Sequence, residues 1–161
     1  IKILNCNAGF KGRKGTLYEG GIRVPFIVNQ PGMVPIQTLD NLIYFPDMMP
    51  TLAALAKGTK HLPKQINGIN ILPLFYGKQV DTDNRLLYWE FPGKQRAARK
   101  GDWKCVTIHP NQPLELYNLK EDPEETNNLA KKYPRRVKEF DEEMQRMHIP
   151  TPNWPQPGEQ F

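Results

Sequence analysis

The chain has 161 residues, 39% of them hydrophobic, and 22 Lys and Arg against 17 Asp and Glu, for a net charge of +5. That length holds one domain, or a domain with a satellite, around a modest core, and the positive balance favours anionic partners: nucleic acid, acidic glycans, or small sulfate and phosphate esters. Two cysteines, Cys6 and Cys105, exclude a disulfide scaffold and leave either one bridge or two free thiols, no stretch is apolar enough to span a bilayer, and the absence of serine removes every serine nucleophile.

Residues 1–5 read as a short strand, and 5–13 as a polar loop in which Lys11, Arg13 and Lys14 crowd together, either as a solvated face or as a cluster that concentrates an anion. The chain opens on Ile1 with no Met and no signal-peptide pattern, so a piece of a longer protein is expected. In the segment Lys14-Gly15-Thr16-Leu17-Tyr18-Glu19-Gly20-Gly21-Ile22-Arg23-Val24-Pro25, two glycines separate a polar loop from an apolar run. Glycine permits positive φ and close approach to the main chain. The run over 22–29 predicts a strand, placed at an edge or bulged because Pro25 lacks a donor. Lys14 and Glu19 then sit on a loop held against the end of a strand, where a cation can meet an anion; the alternative is a tight turn with solvated charges.

A helix is expected over 47–57, with Met48, Leu52 and Leu55 as a core stripe and Gly58 just past its end. Residues 62–77 read as a connection with a helical turn at 72–76. From 85 the pattern changes to alternation: 85–91 is a strand, 95–100 and 103–109 form a hairpin about Gly101-Asp102, and 114–117 is a further strand. Alternation puts Trp103 and Cys105 on one face and Lys104 on the other. Asp122-Pro123-Glu124-Glu125 has the form of a helix start. Residues 134–147 form the best helix, with Val137, Phe140, Met144 and Met147 in one seam against the sheet, and the Pro-rich end from 150 reads as an extended tail.

Chemistry-bearing patterns are few. His61, His109 and His148 lack metal-ligand spacing, Asp81-x-Asp83 lacks the continuation of a calcium loop, and no glycine-rich phosphate loop occurs. Arg96, Arg99, Lys100, Trp103 and Lys104 on the hairpin suggest single-stranded nucleic acid, but no stacking platform or recognition helix accompanies them, so nucleic acid is not expected as a partner.

The Lys14–Pro25 segment resembles the lysine-bearing Lys-Gly-x-x-Tyr-Glu-Gly-Gly-x-Arg-x-Pro signature of the type I sulfatases, in the alkaline-phosphatase superfamily. Further segments resemble that family in the same order: Asp47-Met48-Met49-Pro50-Thr51-Leu52-Ala53; Asn67-Gly68-Ile69-Asn70-Ile71-Leu72-Pro73-Leu74, with Asn67 and Asn70 departing from the pattern; Tyr88-Trp89-Glu90-Phe91 with Arg96 to Lys104; and Glu115 to Leu119 with Asp122 to Ala130. The resemblance implies an α+β fold. Residues 1–83 are the end of the α/β sulfatase core, 84–149 a small antiparallel subdomain packed by a carboxy-terminal helix, and 150–161 a tail.

It also implies sulfate-ester hydrolysis by the intact protein, on a sulfated carbohydrate or aryl sulfate. Lys14 would contact the sulfate group, and Arg96, Arg99 and Lys104 would face the leaving-group side, with surface solvation as the alternative for these three. Glu19 and Arg23 are expected in structural roles, as an ion pair or loop anchors. The Cys/Ser-x-Pro-x-Arg motif that supplies the family's formylglycine nucleophile has no counterpart here, and neither do its calcium ligands. No catalytic nucleophile and no metal site are therefore expected in this chain; calcium would be held by residues outside it, in the missing amino-terminal core. The chain alone should be inactive and should self-associate through uncovered apolar surface. Export to the periplasm, the lysosome or the exterior follows from the resemblance alone. The rivals are a phosphoesterase or phosphonate hydrolase of the same superfamily, and a non-catalytic polyanion-binding module.

Overall fold

The structure is a computed structural model that describes residues 7–91, 95–109, 111–153, 155 and 160. The strand expected over 1–5, Cys6 and most of the expected tail lie outside the described residues. The chain divides into two compact units: the described residues up to Val24 join those from Leu86 onward, and Pro25–Arg85 form the other.

The first unit is built on a four-stranded antiparallel sheet of consecutive neighbours: β1 (Leu86–Phe91), β2 (Gln95–Lys100), β3 (Trp103–Thr107) and β4 (Glu115–Asn118). Gly101, at φ +55°, turns β2 into β3, and the register sets Ala98 opposite Cys105 and Arg99 opposite Lys104. Alternation gives the sheet two faces, both covered. On one, the long helix α4 (Pro134–Met147) lays Phe140 and Met144 onto Ala98, Cys105 and Leu116, with Val137 packed beside them. On the other, Leu17, Tyr18 and Ile22 pack against Ala97, Val106, Tyr117 and Trp89. The helix follows the sequence expectation, as do Val137, Phe140 and Met144 of its seam.

Three expectations are corrected here. Residues 22–29 do not form a strand. Ile22 ends a short helix, α1 (Glu19–Ile22), and the residues after it pair with no strand among the described residues. Pro25 cannot donate to a ladder, and Val24 and Ile27 are 78% and 87% exposed. The loop before α1 consequently lies on a sheet face and not at a strand end. Asp122–Glu125 is a turn and not a helix start: Asp122 accepts hydrogen bonds from the Thr126 and Asn127 amides, and Glu125 takes φ +56°, which a helix cannot continue through.

The third correction lies in the second unit. Its main helix, α2 (Met48–Leu55), does not bury Leu52 and Leu55, which are 59% and 52% exposed. Pro50 and Thr51 form its inward face, and Asp47, the residue before its first turn, is buried with them. The Asp47 carboxylate, fully buried, accepts the Tyr44 and Ile69 amides and a two-pronged ion pair from Arg85. Thr51, one turn on, accepts the Ile71 amide at 3.0 Å. These bonds fix the helix's rotation, because a buried carboxylate left unpaired costs more than two half-exposed leucines. The chain crosses there at Gly68, where a Cβ would sit 2.0 Å from the Pro46 carbonyl oxygen. At the end of α2 the left-handed residue is Lys57, at φ +56°; Gly58 follows it and donates to the Ala53 carbonyl. The helical turn expected near 72–76 is α3 (Leu72–Phe75).

Met144 is fully buried in the seam, so Met144→Ala should cost about 2–5 kcal/mol, whereas Met147→Ala, only half-buried, should cost well under half of that. Urea unfolding of the two variants checks the difference.

Candidate functional site

The loop over 7–18 is held from three sides. From within, the Asn7 side-chain amide donates to the Phe10 and Gly12 carbonyls, and Thr16 Oγ1 donates to the Arg13 carbonyl at 2.9 Å. From α1, the Gly20 amide donates to the Lys11 carbonyl at 2.8 Å. The double glycine is required here for approach: a Cβ on Gly21 would lie 2.0 Å from the Thr16 carbonyl oxygen, and one on Gly20 2.6 Å from that of Lys11. From the sheet, the Gln95 side chain brackets Thr16, donating to the Gly15 carbonyl at 2.9 Å and accepting from the Leu17 amide at 3.2 Å. Arg13 and Lys14 stand exposed at the rim of this loop, without a carboxylate partner among the described residues.

Beneath the loop lies a buried charge cluster. Lys104, which has no exposed surface, places Nζ 2.8 Å from Glu19 Oε1 and 2.9 Å from Glu125 Oε1. Glu19 also accepts Arg23 Nε at 2.7 Å, and the Arg99 guanidinium lies 3.8 Å away. Burial by itself would push the Glu19 carboxyl up, but Lys104, Arg23 and Arg99 outweigh it and hold Glu19 below the ordinary carboxylate range. Burial dominates at Glu125, whose carboxyl is raised despite Lys104. Its Oε2 accepts the Glu19 amide at 2.7 Å, while its Oε1 has the ion pair but no aligned hydrogen bond. A second cluster ties down the start of the loop. Lys11 Nζ donates to Tyr117 Oη at 2.8 Å, lies 3.2 Å from Glu115 Oε2, and sits 4.1 Å over the Tyr18 ring. Tyr18 and Tyr117 both donate to Glu115; these bonds outweigh burial and keep its carboxyl below the usual range.

Of the residues singled out in the sequence, Lys14 and Arg99 lie on the loop side of the sheet. Arg96 is on the α4 side, with its guanidinium 3.5 Å from Asp141. Arg99 is mostly buried and donates to the Gly101 carbonyl. Lys104 is corrected outright: it is an interior counter-ion, neither solvated nor open to a ligand. Glu19 and Arg23 form the expected ion pair. Gln95 and Glu125 were missed; nothing in their local pattern signals a bond made across the fold. Cys105 is a fully buried free thiol, closed to a substrate, and burial pushes it up to about 12. His148 pairs with Glu90 at 2.6 Å, His61 and His109 are exposed, and no group of His, Cys, Asp or Glu suited to a metal occurs among the described residues.

A cation-rimmed loop is thus pinned by a double glycine to a four-stranded sheet, with a helix on the far face. The chain belongs to the sulfatase family, as a carboxy-terminal subdomain: residues 10–149 match the family model described as N-sulphoglucosamine sulphohydrolase, C-terminal. A sulfatase of Formosa agariphila is 32% identical over 154 residues, covering 80% of this chain and 28% of its own. An N-acetylgalactosamine-6-O-sulfatase of Bacteroides thetaiotaomicron is 29% identical over 147 residues, covering 83% of this chain and 29% of its own. The crystal structure of Ps i-CgsB in complex with k-i-k-neocarrahexaose superposes with a TM-score of 0.76 at 25% identity, covering 92% of this chain and 34% of that one. The chain thus spans about a third or less of the length of these relatives. The four-stranded sheet and its helix are the α+β arrangement of such subdomains.

Removing Glu19's charge leaves the buried Lys104 with Glu125 as its remaining carboxylate among the described residues, so Glu19→Gln should cost about 3 kcal/mol at neutral pH, the low end for a broken buried pair. Because the folded Glu19 carboxyl lies below its unfolded value, this stabilisation is complete above the ordinary carboxylate range and disappears as pH falls through the folded value. Glu125 has the opposite sign: its contribution favours low pH and is lost as pH rises through its raised value. Urea midpoints measured from acid to neutral pH should therefore show a flattened acid limb for Glu19→Gln and a much smaller neutral-pH penalty for Glu125→Gln.

Proposed function

We propose that this chain is the carboxy-terminal part of an enzyme that hydrolyses sulfate esters of a sulfated carbohydrate, and that Lys14 is the cation it contributes to the substrate. The observation that carries this reading is an exposed ammonium without a carboxylate partner among the described residues, on a loop whose backbone is fixed by Gln95, Gly21 and the buried cluster. When water cleaves a sulfate ester, the S–O bond to the leaving alcohol breaks and negative charge grows on the bridging and terminal oxygens. A cation already in place stabilises that charge without reorganising. Lys supplies it as a compact point charge. Arg99 lies on the same sheet side; we assign Arg96, whose partner is on α4, a lesser part in substrate binding.

The described residues do not fit a calcium site, so no step is assigned to a metal here; the nucleophile and calcium ligands of the proposed enzyme belong to residues outside this chain. Support for a covering core comes from exposed apolar side chains in the second unit, including Ile27, Ile36 and Phe45. We propose that the amino-terminal core buries them in the whole enzyme, and that the chain alone self-associates through them. Among the described residues no helix is long and apolar enough to cross a membrane. A polymeric sulfated substrate suits an exported enzyme, and we propose export on that ground.

The purified chain should not turn over an aryl sulfate. In the longer polypeptide, Lys14→Ala should lower kcat/KM by about 10²–10³, the scale for losing one charge-stabilising group, while the unfolding midpoint is unchanged. Hydrolysis by the chain alone, or wild-type kcat/KM in Lys14→Ala, would overturn the proposal.

A further inference from the structure

The α4 side of the sheet carries a basic surface that the loop site does not use. Arg136 lays its guanidinium 4.2 Å over the Trp103 ring, Trp103 meets Tyr133 edge-on at 5.3 Å, and Lys132 lies 5.3 Å over Tyr133. Lys100 stands opposite Trp103 in the register, on the same face. Lys131 and Arg135 are exposed neighbours in sequence. Among the described residues, none of Lys100, Lys131, Lys132, Arg135 and Arg136 is paired to a carboxylate, although Glu139 lies one helical turn from Arg135. Helix stability does not call for cations at this place. The first turn of α4 holds no acidic residue, and like charges gathered at that end of a helix oppose its dipole.

We propose that this surface, Lys100, Lys131, Lys132, Arg135 and Arg136 around Trp103, binds a sulfated polysaccharide chain; the proposal rests on the sulfated-carbohydrate reading above. A guanidinium stacked on a ring keeps its edge N–H groups free and fixed in the plane that a sulfate group accepts in two-pronged fashion. Lysines around it add charge without demanding one geometry, which suits a polymer with sulfates at repeated spacing. Single-stranded nucleic acid fits less well, because Arg136 already stacks on the Trp103 ring and Lys132 lies over that of Tyr133, where a base would stack. The surface would hold the polymer while hydrolysis is carried out from the Lys14 side of the sheet.

The test uses the full chain with a size-defined heparin oligosaccharide as probe, titrated by calorimetry at several salt concentrations. Arg135→Gln/Arg136→Gln should weaken binding about tenfold and reduce its salt dependence, as expected for two lost charge contacts. Lys131→Gln/Lys132→Gln should act in the same direction. Lys60→Gln/Lys64→Gln, with the same change in net charge in the other unit, should leave affinity within about twofold. Equal losses in the control pair, no measurable heparin binding, or tighter binding of oligothymidylate of matched charge would each overturn the proposal. In the longer polypeptide the Arg135/Arg136 pair should leave small aryl-sulfate turnover unchanged and raise KM for the polymer. Loss of aryl-sulfate turnover on Lys14→Ala alone reports on the catalytic reading and not on this surface.

Discussion

The ammonium of Lys104, closed off from water between Glu19 and Glu125, ties together three segments distant in sequence: the loop-and-helix that ends at Ile22, the third strand, and the turn after the fourth. Each of these charges is tolerable in the interior only because the others are there. Three cationic neighbours outweigh burial at Glu19 and hold its carboxyl below the ordinary range, whereas burial outweighs Lys104 at Glu125 and raises its carboxyl. The loop above is thereby positioned by what lies beneath it, and the Gln95 amide completes the hold from the sheet. Lys14 inherits a defined location from contacts in which its own side chain takes no part.

The sheet then separates two kinds of positive charge. On the loop side the cations nearest the core, Lys11, Arg99 and Lys104, are matched by Glu115, Glu19 and Glu125, and those unmatched among the described residues, Arg13 and Lys14, sit at the rim. On the helix side Arg96 is matched by Asp141, while the cations around Trp103 have no carboxylate partner among the described residues. A strand residue and its neighbour in sequence face opposite ways, so Lys104 is an interior counter-ion while Trp103 supports an exposed guanidinium.

The second unit uses the same device. Asp47 is a buried carboxylate whose partners are the Tyr44 and Ile69 amides and the Arg85 guanidinium. The Asp-x-x-Pro-Thr pattern has a physical reading there: Asp and Thr, four residues apart on one helical face, both bond the returning chain, and Gly68 lets that chain come close.

Much of the first unit was legible along the chain. The four strands, the Gly101 turn and the α4 seam announce themselves through periods of two and 3.6, which are properties of local geometry. The double glycine marked the loop, and the pairing of Glu19 with Arg23 lies within one helical turn. What sequence alone misread depended on partners elsewhere in the fold. Residues 22–29 have strand composition but no neighbouring strand among the described residues, and an isolated strand has nowhere to place its hydrogen bonds. Asp122–Glu125 has the letters of a helix start, but Glu125 is drawn inward to Lys104 and turns the backbone left-handed. The helix over 48–55 rotates to satisfy Asp47 and Thr51 and not to bury its leucines. Local periodicity and turn chemistry thus determined where the regular elements lie; only the tertiary structure decided which charges become interior and which remain at the surface, because a buried ion's stability depends on counter-ions contributed by distant parts of the chain.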